Sequence, residues 1–406
     1  MSNQQKIHVS HLKVGMFISK LDRDWLETPF LLQGFMIEDS EDIDIVREYC
    51  EFVWIDTKYT PKKDDFDVNV GAFNQAPNSH YANKTTLEIE HQRAYKTFRR
   101  ARSLTKSLMD DIRLGGALNT EVAKETVTDC IQSVLRHPDA LLWMSKIRDE
   151  HEYTAEHSLN VCILAIAFGR QLDFDEEELH KLGLCGLLHD IGKLRIPNEI
   201  IDKPGKLNDK EMKIMMSHAV HGRNLLVSSP HVYDGAIDVA YSHHERIDGK
   251  GYPRQLPGSS ISKYARIISI VDAFDAMTAT RVYSKAMAAT DALKIIYEER
   301  GKQFDEELAV KFIQTIGLFP VGSLVELRNG EVGFVIETNL KKRLLPRVIL
   351  VLDENHEVRT REKVVDLSYV ETGALPQSYS IRRALPDGTY NLFIREFQEK
   401  GLVLKH

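Results

Sequence analysis

Nine of the chain's sixteen histidines fall between His151 and His244. Two of them, His243 and His244, stand side by side in "YSHHERIDGKGYP", at the edge of a loop that holds Gly249 and Gly251. Neighbouring side chains on a helix point about 100° apart. Two adjacent imidazoles therefore suit either plain solvation or a grip on different atoms of a metal cluster at a helix end. His157 opens "HSLNVCILAIAFGRQL", His189-Asp190 closes a helical stretch in "CGLLHDIGK", His218 sits in "SHAVHG", and Asp272 lies in "IISIVDAFDAM". One such histidine alone is more often a hydrogen-bonded core residue than a ligand. Asp272 argues for ligands, because a carboxylate among Ile268, Ile270, Val271 and Phe274 is costly to bury unless paired or metal-bound. Five histidines and two aspartates suit Fe, Mn, Zn or Ni, and a carboxylate can bridge two ions. No cysteine joins the set, which counts against a structural zinc site.

These residues need rigid elements to hold them. From about residue 86 to 317 the hydrophobic spacing is helical almost throughout. Residues 157–172 are apolar nearly all round and predict a central buried helix. Asp173 with Glu176 three residues later predicts the cap of the next helix. Residues 264–279 predict another largely buried helix. Ahead of this unit, residues 7–19 alternate as a strand does, 30–37 and 52–56 are further strand candidates, and 40–50 has helical spacing with Ser40 as a possible N-cap. Residues 5–60 thus form a small α+β domain, and 61–85, rich in Pro, Asn, Asp and Lys, a linker. After Pro320, "GSLVELRNGEVGFVIETN" reads as strand, Asn329-Gly330 turn and strand, and "RVILVLDE" as a third strand. That makes 318–370 a small β module, followed by an extension at 371–406. The fold class expected is mainly α, with small α+β and β parts at its two ends.

Bulk properties narrow the functions. The net charge of −7 argues against a basic face for DNA or RNA polymers. No run approaches the ~18 apolar residues of a membrane span, and "MSNQQKIHVS" has no apolar signal region. The four cysteines, Cys50, Cys130, Cys162 and Cys185, are scattered without CxxC spacing. They fit a reducing cytoplasm rather than a disulfide framework.

His189-Asp190 followed by "IGKLRIP", then "HAVHG", then "HHERIDGKGYP" resembles the HD-GYP family of the HD metallohydrolase superfamily. The resemblance runs from about 150 to 317, over several separated motifs in order. The module at 5–60 is similar to the small domain often found ahead of HD-GYP domains in bacteria. The resemblance implies an HD-type helical bundle that uses divalent metals, iron or manganese, to hydrolyse 3′,5′-cyclic dinucleotides. Cyclic di-GMP is the first expectation, giving linear pGpG in bacterial second-messenger signalling, with further cleavage to GMP left open, and cyclic GMP-AMP is the alternative. Carried over, the metal ligands are His157, His189, Asp190, His218, His243, His244 and Asp272, with Asp190 as the bridge. On this view the paired histidines diverge, one holding metal and the other reaching the cluster or the substrate phosphate. Lys193, near His189 and Asp190, contacts the scissile phosphate or protonates the leaving 3′ oxygen, and Arg281 and Lys285 bind phosphate.

Two departures from the family pattern matter. Val282 and Ser284 stand where a proline and a basic residue are usual, which bears on substrate choice. Tyr153 stands where some members carry a glutamate for a third metal, so two ions are expected. Gly251, Tyr252 and Pro253 form the loop that borders the site in the family and can meet signalling partners; a homodimer is also open. His151, His180, His221 and His231 match no role, and Asp275 is expected to tie helices together. Two other readings compete: a nucleotide phosphohydrolase of the wider superfamily, against which the GYP loop counts, and an inactive ligand-binding signalling module. All seven ligand positions are filled, which favours the enzyme.

Overall fold

A computed structural model of the protein describes residues 4–23, 35–37, 40–56, 81–146, 153–279, 287–339 and 342–394. The N-terminal part is a four-stranded antiparallel sheet, β1 (Gln4–His8), β2 (Phe17–Leu21), β3 (Phe35–Met36) and β4 (Phe52–Asp56), in the order β1-β4-β2-β3. Helix α1 (Ser40–Tyr49) joins its last two strands. The alternation over 7–19 is not one strand. A 3-10 turn at Val9–His11 and Gly15 at φ +88° reverse the chain, and the two halves flank β4. Of the expected strand at 30–37 only Phe35–Met36 is found, since 30–34 lie outside the described residues, as do 61–80 of the expected linker.

The helical unit begins with α2 (Leu87–Arg113), a long amphipathic helix that packs on α3 (Thr120–Arg136), α4 (Pro138–Met144) and α5 (Tyr153–Gln171). α5 is the buried centre, every residue from Glu156 to Arg170 being shielded from solvent. α6 (Glu176–Leu188) packs along it. Its cap lies two residues beyond the expected one. Asp175 accepts the Glu178 N–H at 2.8 Å and Glu178 returns the bond, while Asp173 takes φ +63° in the preceding turn. Then follow a 3-10 segment at Ile191–Arg195, α7 (Asn198–Ile201), α8 (Asp209–Met216), α9 (His218–Val227), α10 (Asp234–Ser242), α11 (Lys263–Thr278), α12 (Ala289–Glu298) and α13 (Glu306–Ile316).

The C-terminal part is a five-stranded antiparallel sheet: β5 (Leu324–Leu327), β6 (Val332–Glu337), β7 (Arg347–Leu352), β8 (Val358–Asp366) and β9 (Ile381–Leu385), ordered β8-β7-β6-β5-β9. β9 comes from beyond residue 370, so the sheet takes in part of the expected extension. The sheet docks on α4 through polar groups. Thr338 donates its backbone N–H and its hydroxyl to the buried Asp139 carboxylate at 2.7 and 2.9 Å. Glu337 meets His137 at 3.0 Å, and Arg347 bridges Glu337 and Glu88 of α2. Trp143 packs edge-on against Phe334.

Candidate metal centre

Four helix ends and one helix middle deliver the residues. His157 comes from the start of α5, His189 and Asp190 follow α6, His218 opens α9, His243 and His244 follow α10, and Asp272 lies on α11. Their ligand atoms gather into two groups: Asp190, His218, His243 and His244 in one, and His157, His189 and Asp272 in the other, each within 4.8 Å. Asp190 stands between them. Its Oδ2 lies 3.4 Å from His157 Nε2 and 3.3 Å from His189 Nε2, while its Oδ1 lies 3.4 Å from His218 Nε2 and 3.7 Å from His243 Nε2. The paired histidines, expected to diverge, both point into the Asp190 group, their rings 4.1 Å apart and tilted by 46°.

The outer ring nitrogens are already committed. His189 Nδ1 donates to Gly186 O (2.8 Å), His218 Nδ1 to Met215 O (2.7 Å) and His243 Nδ1 to Val239 O (3.0 Å). A carbonyl can only accept, so each Nδ1 carries a proton and each neutral ring offers a bare Nε2 inward. His157 Nδ1 is held by Asp275 Oδ2 at 2.8 Å, a carboxylate–histidine pairing typical of metal ligands.

The interior is consequently crowded with acceptors. His218 Nε2 and His243 Nε2 face each other at 3.3 Å, and His189 Nε2 and Asp190 Oδ1 are buried without a hydrogen-bond partner. Acceptors this close need a cation or a proton between them. Two nitrogens each about 2.1 Å from one ion stand about 3.3 Å apart, so the residues fit a bound metal. With protons alone, the field sorts the rings. Burial opposes charge on His189, yet the Asp190 and Asp272 carboxylates carry it up to about 9. Burial pushes His218 down to about 4 and His244 well below its ordinary range. Burial would raise Asp190, but Lys193 and His189 hold it well below the usual carboxylate range.

Lys193 Nζ meets Asp190 Oδ2 at 2.5 Å, at the open side of the cluster. Its 3-10 segment presses on α9: a Cβ on Gly192 would lie 2.0 Å from His218 O and 2.3 Å from Gly222 N. Only glycine lets that turn bring Asp190 and Lys193 up to His218.

The GYP loop is locked from within. Buried Glu245 accepts the Arg254 and Leu256 N–H groups at 2.6 and 3.0 Å. A Cβ on Gly251 would meet backbone atoms of Glu245 and Arg246 at 2.4 Å, and Gly249 sits at φ +73°. Tyr252 stacks on His244, centroids 4.6 Å apart and 27° between planes. Pro253 follows through a cis peptide bond. The loop thus fixes the more exposed of the paired imidazoles.

Arg281 and Lys285, with Val282 and Ser284, lie outside the described residues, as does His151. His180, His221 and His231 belong to neither ligand group. Asp275 does tie α11 to α5, and it does so through a candidate ligand. Glu245 and Gly192 were missed as site residues. Glu245 was visible as the third letter of "HHE", whereas Gly192 carried no signal beyond its place in "HDIGK".

An HD domain family model matches residues 142–308, and a domain of unknown function (DUF3391) matches residues 4–123. The chain is 36% identical over 368 residues to the cyclic di-GMP phosphodiesterase PA4108 of Pseudomonas aeruginosa, covering 89% of each protein. It is 38% identical over 169 residues to the 3'3'-cGAMP-specific phosphodiesterase 3 of Vibrio cholerae, covering 41% of this chain and 36% of that one. It is 42% identical over 137 residues to the cyclic di-GMP phosphodiesterase response regulator RpfG of Xanthomonas campestris, covering 33% and 36%. No helix among the described residues is long and apolar enough to cross a membrane. With six imidazole and carboxylate groups meeting around Asp190, and with a relative of this kind matched over 89% of each chain, the chain belongs to the HD-GYP family of metal-dependent cyclic dinucleotide phosphodiesterases.

Proposed function

We propose that the chain hydrolyses a 3′,5′-cyclic dinucleotide to its linear form, with cyclic di-GMP as the preferred substrate. One observation carries this reading: Asp190 sends one oxygen toward each of two ligand groups. In this reading His157, His189 and Asp272 hold one ion, His218, His243 and His244 the other, and Asp190 both. The ions are iron or manganese, since imidazole and carboxylate without thiolate accept either. Divalent ions held there supply positive charge for an anionic phosphodiester and acidify water.

The rest falls to the chain. The Nδ1 bonds to Gly186, Met215, Val239 and Asp275 keep the imidazoles aimed with Nε2 turned inward. Lys193, partly exposed and poised over Asp190, turns to the scissile phosphate and supplies the proton for the leaving 3′ oxygen. Tyr252 borders the substrate beside His244, with Gly251 and Pro253 shaping the rim. Arg281 and Lys285 take the other phosphate. The reading includes a cytoplasmic setting, a helical catalytic unit over 86–317, and a GYP loop open to signalling partners or a second copy.

The second substrate, 3'3'-cGAMP, is favoured by the Vibrio relative's name. The test is anaerobic purification, elemental analysis, and side-by-side kinetics on cyclic di-GMP, 3'3'-cGAMP and cyclic di-AMP. About two transition-metal ions per chain and the highest kcat/KM on cyclic di-GMP are expected. A fully metallated protein that turns over none of the three is a binding module, and the proposal fails.

A further inference from the structure

Helix α2 lies wholly before the span matched as HD domain and inside the span matched as a domain of unknown function. It nevertheless touches two segments at the metal centre, α5 and the Ile191–Arg195 turn bearing Lys193. Its contact with α5 is an ion pair. Arg102 Nη2 lies 2.5 Å from Glu156 Oε1, and Glu156 is 3% exposed while Arg102 is 28% exposed.

Glu156 sits in the first turn of α5, immediately before His157. Side chains at i and i+1 diverge by about 100°, so one turn of helix offers Glu156 to α2 and His157 to the metal centre. The first turn of a helix is where the backbone frays most readily. Among the described residues, Asp275 of α11 holds the His157 ring (2.8 Å) and Arg102 of α2 holds the residue beside it. A buried carboxylate that loses a cationic partner is destabilised where it stands. Losing Arg102 would therefore pull the turn, and His157 with it, off the place that Asp190 and Asp272 require.

We infer that Arg102 is a positioning residue for the metal centre: through Glu156 it sets His157, and the so-called domain of unknown function contributes its last helix to the catalytic unit. The inference rests on the metal reading above. It does not depend on which dinucleotide is cut.

The test uses the full chain with Arg102→Met, Glu156→Gln and the double variant. Mn2+ affinity is measured by calorimetry, melting temperature without metal, and kcat on cyclic di-GMP at saturating Mn2+. Glu156→Gln removes the charge but leaves an amide within reach of Arg102, and should bind Mn2+ within about threefold of the parent. Arg102→Met should melt earlier and bind one of its two ions about 10- to 100-fold more weakly, the range for losing an outer contact to a ligand. The double variant carries no uncompensated charge, so its melting temperature should recover while the weak ion stays at least tenfold weak and kcat stays low. Full recovery of Mn2+ affinity in the double variant would overturn the inference, because Arg102 would then only neutralise Glu156. Parent-like affinity in Arg102→Met would overturn it too. A parent protein that binds Mn2+ tightly but cuts no cyclic dinucleotide ends the proposed function alone, since the affinity comparison still decides the role of Arg102.

Discussion

Gly192 and Gly222 face each other where the HD turn meets α9, yet an alanine should be tolerated at only one of them. A Cβ on Gly192 would stand 2.0 Å from His218 O and 2.3 Å from Gly222 N, both backbone atoms. Carbon and oxygen ordinarily settle at about 3.3 Å or more, so the start of α9 must retreat by roughly 1.3 Å. A Cβ on Gly222 meets its nearest neighbours at 3.4, 3.5 and 3.6 Å, which is ordinary contact. Gly192→Ala should therefore cost about 1–3 kcal/mol of stability from overpacking. It should also open the 3.4 Å His218–Asp190 spacing by about an ångström, a misplacement worth roughly 100-fold in rate. Gly222→Ala, in a helix, should stay within about 1 kcal/mol of the parent. Denaturant unfolding, Mn2+ titration and turnover of cyclic di-GMP on the two variants provide the assay. Equal behaviour of the pair, or a Gly192→Ala protein with parent-like metal binding and rate, would refute the claim that this contact sets the spacing.

Three further outcomes are expected. Asp275→Asn should weaken the ion at His157 about 10- to 100-fold with little change in fold, as metal titration would reveal. Lys193→Ala should keep its metal, by elemental analysis, and lose roughly 10²- to 10⁴-fold in kcat; loss of metal as well would reassign Lys193. In the ion-free chain His189 titrates at about 9, against ~6.5 when unfolded. Its proton thus stabilises the ion-free fold fully below pH ~6.5, and that contribution is lost as pH rises through about 9. An incoming metal must displace the same proton, so Mn2+ affinity should climb about tenfold per pH unit from ~6.5 toward ~9, and a flat calorimetric profile would contradict it.

The candidate ligands were legible because buried polar residues stand out against apolar helices. Asp272 among isoleucines, and His189-Asp190 at the end of an apolar run, are anomalies that composition exposes. Helix and strand periods marked most elements for the same reason. What escaped were features settled by tertiary contact. The alternation over 7–19 hides a reversal because a 3-10 turn and Gly15 at φ +88° keep the polar pattern intact. Asp173 and Asp175 both satisfy the spacing of a helix cap, and only the chain path chose between them. β9 has no strong pattern of its own and is recruited by pairing with β5. That His243 and His244, both expected as ligands, share one group was not legible, because α10 stops at Ser242 and the 100° rule of a continuing helix ceases to apply.

The docking of the C-terminal sheet on α4 bears on where this protein can be divided. The Asp139 carboxyl is pushed up by burial, and both of its donors come from Thr338. His137 leans on Glu337, and Trp143 on Phe334. A fragment ending at residue 317 would strip all three partners at once. It would leave an acidic group and an imidazole facing a surface that had been interior, at the helix that directly precedes the one carrying His157. A fragment meant to keep the helical unit of 86–317 intact is therefore expected to need the sheet through β9 as well.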